Sequence, residues 1–400
     1  MKFAHIADCH IGGWREPKIS ELNLKAFIRA IDTCIEKKVD FVLISGDLFN
    51  TSLPPIDKLK AVVVALKKLK DNSIACYCIA GSHDFSPSGK TMIEVIESAG
   101  LCRNAVKGKI IEGKLRLSFT IDKKTGAKIT GMLGKKGMLE KSYYDDLDLE
   151  ALEKEEGFKI FMFHTAISEL KPKELERMDS CPVSLLPKGF DYYAGGHVHY
   201  VQEASFPGYA KIVFPGPIFP NSFKELEEQE GGFYIYDNGV TSHQPSRVIN
   251  VMPITINCDG KAKEVIEEEM LSRIKNSELY DTIVTLRLHG RMLGRPQDIE
   301  FRKIFEEFYS KGAYFVMKNT SALSSPEFEE IKISHQENTE ELESRIISEH
   351  AGQIPGFDKT REQQAVKMLL RSFSLEKAEG ERLQDFIERI KAGADSALFE

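Results

Sequence analysis

Through the first 200 residues, short unbroken apolar runs alternate with longer stretches whose apolar positions recur every three or four residues. The runs at 3–7, 41–45, 76–80, 158–163 and 191–195 read as strands. The stretches at 22–37, 56–70 and 90–98 read as helices, the first with Leu24, Phe27, Ile28, Ile31 and Ile35 on one stripe. Strands that are apolar throughout need cover on both faces, which predicts an α/β core.

The pattern changes near 245. From 251 to 334 it reads strand (254–256), helix (262–274), strand (282–288), helix (299–311), strand (314–318), a small second α/β domain. Beyond 335 the chain turns polar and acidic, broken at Gly352, Pro355 and Gly356. It closes on two amphipathic stretches. Leu369, Leu370 and Phe373 mark one, and Leu383, Phe386, Ile387 and Ile390 fall on one helical face in the other. The expected domains are 1–245, 246–334 and 335–400. No repeat or low-complexity tract interrupts them.

Candidate chemistry sits where the strands stop. Asp8-Cys9-His10 follows the first run, Gly46-Asp47 the second and Gly81-Ser82-His83-Asp84 the third; His164 ends the fourth, and Gly195-Gly196-His197-Val198-His199 follows the fifth. In α/β sheets ligands gather at the carboxyl ends of strands, so these residues are expected to converge. Residues two apart in an extended chain point the same way, which would pair Asp8 with His10 and His197 with His199. Imidazole with carboxylate suits Mn²⁺, Fe or Zn²⁺. Asp8, His10, Asp47, His164, His197 and His199 exceed the needs of one open ion and fit two, roughly 3.5–4 Å apart, with Asp47 as the natural bridge. Such a pair clamps a phosphate and neutralises a leaving oxygen. His83 is left over, free to stabilise the transition state or protonate that oxygen.

Other features resolve more blandly. His5 lies inside a strand and reads as a packed or hydrogen-bonded residue; Trp14 is either a base-stacking ring or a loop anchor. Gly89-Lys90-Thr91 lacks the upstream glycine of a P-loop, Asp84 standing in its place. The net charge of -7 excludes a generally basic polyanion binder, so contact with nucleic acid would need a local patch or bound cations. The seven cysteines show no CxxC and no secreted framework. With no signal-like apolar segment and no stretch long enough to span a membrane, a soluble, cytoplasmic protein is expected.

Asp8-x-His10, Gly46-Asp47, the segment at 81–83, His164 and Gly196-His197-x-His199 match the calcineurin-like metallophosphoesterase pattern. More closely, HIADCHIGG, VLISGDLFN, AGSHDF, FHTAI and YYAGGHVH resemble the archaeal type of the Mre-eleven (SbcD) DNA double-strand-break repair nucleases. The resemblance implies an α/β fold, a β-sandwich flanked by helices, with a small α/β DNA-capping domain and C-terminal docking helices. It implies two Mn²⁺ per subunit. One would be held by Asp8, His10, Asp47 and His199, the other by Asp47, His164, His197 and the residue at 82. Here that residue is Ser82 where the family usually has Asn, so it would ligate weakly or through water. Some members carry a histidine at the position of Asn50, which leaves His83 as the main transition-state group. The activity implied is 3'-5' exonuclease and endonuclease cleavage at double-stranded DNA ends, by a homodimer bound through its final helices to a Rad-fifty (SbcC) type ABC ATPase.

Leu383, Phe386, Ile387 and Ile390 are the expected docking residues. Leu59, Val62, Val63 and Leu66, which give more apolar surface than a one-sided helix needs, are the expected dimer contacts. Two rival readings stand beside the nuclease. The first is a phosphodiesterase or phosphatase for a non-DNA substrate, disfavoured by Leu48-Phe49-Asn50 after Gly-Asp and by the long C-terminal extension. The second is a non-catalytic DNA-binding scaffold, suggested by Ser82.

Overall fold

Alternate residues of the central strands go to opposite faces, and each face meets a different cover. β1 (Lys2–Ile6), β2 (Phe41–Ser45), β3 (Ala75–Ile79) and β4 (Arg103–Asn104) run parallel. After a hairpin of β5 (Gly108–Ile111) and β6 (Lys114–Leu117), the chain builds a second sheet. It contains β7 (Thr120–Ile121), β8 (Lys128–Gly131), β9 (Lys159–His164), β10 (Tyr192–Gly196), β11 (Gln202–Phe206) and β12 (Tyr209–Phe214). β13 (Gly232–Asp237) and β14 (Val240–Pro245) then return to the first sheet. The orders are β14-β13-β1-β2-β3-β4 and β11-β12-β10-β9-β8-β7. These strands are seen in a computed structural model that describes residues 1–86, 89–135, 141–173, 178–275, 277–325, 347–348, 358–375 and 383–399.

Phe3, Phe41, Leu43, Tyr77 and Ile79 of the first sheet pack on Ile129, Ile160, Met162, Tyr192, Ala194 and Val213 of the second. The intervening residues Ala4, Ile6, Val42, Ile44, Cys76 and Cys78 face α1 (Pro17–Glu36), α2 (Ile56–Asp71) and α3 (Met92–Ser98). The outer face of the second sheet, with Phe161, Phe163, Tyr193 and Phe214, is covered by Tyr144 and Leu152 of α4 (Lys141–Asp145) and α5 (Leu149–Glu153), among others. The strands are therefore apolar throughout because one face meets helices and the other meets a second sheet. The mixed α/β class holds. Cys9, Cys34, Cys76, Cys78, Cys102, Cys181 and Cys258 are all buried free thiols.

One short helix, α6 (Phe223–Glu228), precedes β13. Beyond β14, the parallel strands β15 (Asn250–Asn257), β16 (Thr282–Arg291) and β17 (Phe315–Ser324), with α7 (Lys263–Ser272) and α8 (Phe301–Ser310), enclose their own apolar cluster. Met1–Glu327 forms one compact unit and Phe328–Glu400 another. The expected domain boundary near 335 lies outside the described residues. In the second unit, helices Lys359–Phe373 and Leu383–Phe399 pack on each other.

The dimer expectation needs correction. Val62 and Leu66 are fully buried in this chain's own core, where they pack α2 on the first sheet, so they cannot reach a partner. Leu59 and Val63 are half-buried. The apolar side chains exposed around α2 and α3 are instead Leu53, Ile56, Val64 and Val95. Among the docking residues, Phe386 and Ile390 are half-buried, Ile387 is exposed, and the side chain of Leu383 lies outside the description.

Candidate metal centre

The expected ligands do leave the carboxyl ends of β1, β2, β3, β9 and β10, but not as extended chain. Asp8 (φ 50°), His10 (φ 43°), Asp47 (φ 50°) and His197 (φ 85°) all lie in the left-handed region. Such backbone is costly for residues other than glycine and tends to cluster at functional sites. Asp8 and His10 converge because the chain curls there, with Asp8 N bonded to Gly46 O and His10 N to Asp47 O.

Glycines clear the space. β9 and β10 pair with His164 opposite Gly196, where a Cβ would come within 2.1 Å of Ser45 O and 2.8 Å of His164 Nδ1. A Cβ on Gly46 would come within 2.2 Å of the same nitrogen, and one on Gly81 within 2.3 Å of Asp47 Oδ1. Each contact is far below van der Waals distance, so the ring of His164 and the carboxylate of Asp47 fit only beside glycine.

Asp47 stands at the centre. Its Oδ2 is 3.2 Å from His164 Nε2, 3.7 Å from His10 Nε2 and 3.4 Å from Ser82 Oγ, while Oδ1 accepts the His83 backbone N–H at 2.7 Å. His10 Nε2 and His199 Nε2 lie 3.2 Å apart. Asp8 accepts the His197 backbone N–H through both oxygens, at 2.9 and 3.1 Å. Three groups of donor atoms are close enough to share a cation: Asp8 with His10 and His199, His10 with Asp47 and His83, and Asp8 with Asp47 and His164. The ring of His197 sits edge-on to that of His164 at 5.2 Å and completes none of these groups.

Several rings are already oriented through their other nitrogen. His164 Nδ1–H donates to Ser45 O at 2.8 Å, His83 Nδ1–H to Asn50 O at 2.8 Å, and His199 Nδ1–H to Glu225 Oε1 at 3.2 Å. This is how metal-binding imidazoles are usually held. Asp84 holds the loops after β2 and β3 together, accepting Phe49 N–H at 3.2 Å and Gly81 N–H at 2.9 Å.

Burial sets the protonation pattern. It pushes the His10 imidazole down to about 3 and that of His197 to about 4, so both are neutral near pH 7, as ligation requires. It pushes Asp8 up to about 6 and Asp84 up to about 7. Burial works the same way on Asp47, but the charge and hydrogen bond of His164 outweigh it and hold the carboxyl far below its usual range. The converse holds for His164, which burial would lower and Asp47 raises to about 10.

The residues fit divalent cations. The nitrogens of His10 and His164 that face the site, both Nε2, are aimed at the Asp47 carboxylate, the donor set is nitrogen and carboxylate oxygen, and no thiolate takes part. Asp8, His10, Asp47, Ser82 and His164 form a buried floor, while His83, His197 and His199 line a rim open to solvent. Sequence reasoning missed Glu225 and Asp84. Ser222-x-x-Glu225 is visible as a helix-capping pattern, and Ser222 Oγ does accept Glu225 N–H at 3.2 Å, but nothing along the chain links it to His199. Trp14 is a loop anchor, its Nε1–H donating to Pro220 O at 2.9 Å. His5 is a packed strand residue 3.1 Å from the Tyr192 hydroxyl.

Residues 1–201 match the family model for calcineurin-like phosphoesterases. Similar curated proteins are named DNA double-strand break repair protein Mre11. That of Archaeoglobus fulgidus is 31% identical over 240 residues, covering 57% of this chain and 52% of the relative. That of Methanococcus maripaludis is 30% identical over 254 residues, 59% and 63% of the two chains. That of Methanocaldococcus jannaschii is 28% identical over 339 residues, 82% and 84%. The chain thus spans between half and two thirds of the length of the first two. With half of its 400 residues matched, all of the candidate ligands among them, the chain belongs to the calcineurin-like phosphoesterase family.

Proposed function

We propose that the chain is a nuclease that hydrolyses phosphodiester bonds at double-stranded DNA ends with two divalent cations, Mn²⁺ being the expected metal. The observation that carries this reading is the cluster around Asp47, in which two carboxylates and three oriented imidazoles meet, His164 on the floor and His83 and His199 at the rim. The similarity to the Mre11 proteins supports DNA as the substrate. Asp8, His10, Asp47 and His199 would hold one ion; Asp47, His164, His197 and Ser82 would hold the other. When bound, such a pair neutralises the phosphate and the charge that develops on the leaving oxygen.

The chain's own residues supply the rest. Asn50 O engages His83 Nδ1–H, which leaves Nε2 for the site. From there His83 hands a proton to the leaving oxygen or donates a hydrogen bond to the crowded transition state. The rim histidines sit where a backbone phosphate would enter. The cations would also offset the net charge of -7, which otherwise repels DNA. By the same reading the chain works as a homodimer with an ABC-type ATPase held by its C-terminal helices.

The test is Mn²⁺-dependent digestion of linear double-stranded DNA beside bis(p-nitrophenyl) phosphate. Cleavage of the small diester with no cleavage of DNA would favour the non-DNA phosphodiesterase. DNA retention without cleavage of either would favour a scaffold.

A further inference from the structure

His199 is fixed at two points by one short stretch of chain. Glu225 of α6 accepts its Nδ1–H, and Gln229, immediately after α6, donates Nε2–H to its backbone carbonyl at 3.0 Å. Glu225 is itself locked, accepting Asn221 N–H at 2.8 Å and the Ser222 hydroxyl at 3.1 Å. Leu226 is buried against the first sheet's core.

Another face of α6 is gripped from the small domain. Phe223 and Glu227 are one helical turn apart. Arg287 of β16 donates to Glu227 Oε2 through Nε and Nη2, at 3.1 and 2.5 Å, and its guanidinium lies 5.1 Å from the centre of the Phe223 ring. The pair is largely shielded, with side chains 31% and 13% exposed. The register of β16 against β17 shifts between Arg287 and His289, and such irregularities often re-aim a side chain. An ion pair that only pinned two surfaces together would need no particular helix between them. This one grips the six-residue element that also orients His199.

We infer that Arg287 is a positioning residue for the metal centre: through α6 it couples the placement of the small domain to the orientation of His199. The inference rests on the reading of His199 as a ligand. A ligand that moved the small domain would thereby retune the ion held with Asp8 and His10.

The test compares full-length Arg287→Ala, Glu227→Gln and the charge-swapped pair Arg287→Glu with Glu227→Arg. Two readouts are used: Mn²⁺ titration by calorimetry, and the imidazole nitrogen–proton correlations of His199 in metal-free protein. Arg287→Ala should shift the His199 ring signals while those of His164 stay put. It should also weaken one Mn²⁺ binding step by ~10-fold, the lower end of what loss of a ligand's supporting partner costs. The swap should restore both readouts. If Arg287→Ala lowers the melting temperature but leaves the His199 signals and both binding steps unchanged, the pair is only a domain fastener and the inference is overturned. If Arg287→Ala does not fold, Glu227→Gln decides on the same readouts. If the wild-type chain binds no Mn²⁺, the metal reading fails, and the ring signals still decide whether the coupling exists.

Discussion

At the scale of single residues, which side chains gather in the candidate site was legible in the sequence, and the geometry that gathers them was not. Each candidate ligand could be placed because an apolar run ended in Asp or His. The expected reason for Asp8 and His10 converging was strand alternation, whereas both adopt left-handed backbone. That curl depends on hydrogen bonds to the β2 loop, a contact no local pattern encodes. His83→Ala is expected to cut cleavage by about 100–1,000-fold, the usual cost of a lost transition-state donor, while Mn²⁺ affinity is unchanged by calorimetry. Because His83 also stands close to His10 and Asp47, loss of an ion in this variant would reassign it as a ligand. Ser82→Asn is expected to tighten one Mn²⁺ step, since an amide oxygen ligates better than a hydroxyl; an unchanged titration would rule this out. His5 offers a test through pH. Burial lowers its pKa to about 3, below the ~6.5 of an unfolded histidine. It therefore contributes stability that is present above pH ~6.5 and is lost as pH falls towards the folded value. In chemical denaturation between pH 7 and 5, His5→Asn should reduce the slope of stability against pH by up to one proton.

At the scale of elements, the long helices and buried strands were legible because their periodicity is strong. The helix expected from 22 begins earlier, at Pro17, whose fixed φ suits a first turn. The helix expected from 90 begins at Met92, capped by Thr91, whose hydroxyl accepts Glu94 N–H. The strands between 100 and 131 and from 202 to 245 were missed. Many are short, and several, such as β11 and β14, alternate half-buried with exposed residues. α6 escaped notice because a six-residue helix shows hardly two turns of any period. Val62 and Leu66 failed as dimer residues for a related reason: periodicity marks an apolar stripe but not which part of it its own sheet consumes. Ile56, 84% exposed, and Val95, 55% exposed, remain free to meet a second copy. Ile56→Glu with Val95→Glu should therefore convert a light-scattering dimer to a monomer without lowering the melting temperature. A wild-type monomer at micromolar concentration would remove the homodimer from the proposal.

At the scale of the whole molecule, the composition shift at 245 falls inside the first compact unit, just before the strands that enclose their own apolar cluster, and the final helices form a pair in the second. Leu370, Phe373 and Ile387 stay exposed there, more apolar surface than a free helix pair usually leaves in water. Truncation at 335 is expected to preserve Mn²⁺-dependent cleavage of simple DNA ends and to abolish co-purification with the ATPase. Full-strength binding by the truncated chain would place the docking surface elsewhere.

The candidate ligands have an origin that matters for how the chain folds. Asp8, His10, Asp47, Ser82 and His83 leave the first sheet; His164, His197 and His199 leave the second. His10 and His199 are 189 positions apart yet touch. Neither sheet alone can assemble the cluster, and a ribosome must deliver nearly 200 residues before the last donors arrive. The site is thus a late event, closed only when the two halves of the sandwich dock. Cations bound across that seam would act as a rivet, favouring the docked state by about 2.7 kcal/mol at a hundredfold excess over the dissociation constant. The sandwich would come apart more slowly when loaded, and a chelator would hasten its opening at the seam that the candidate ligands bridge.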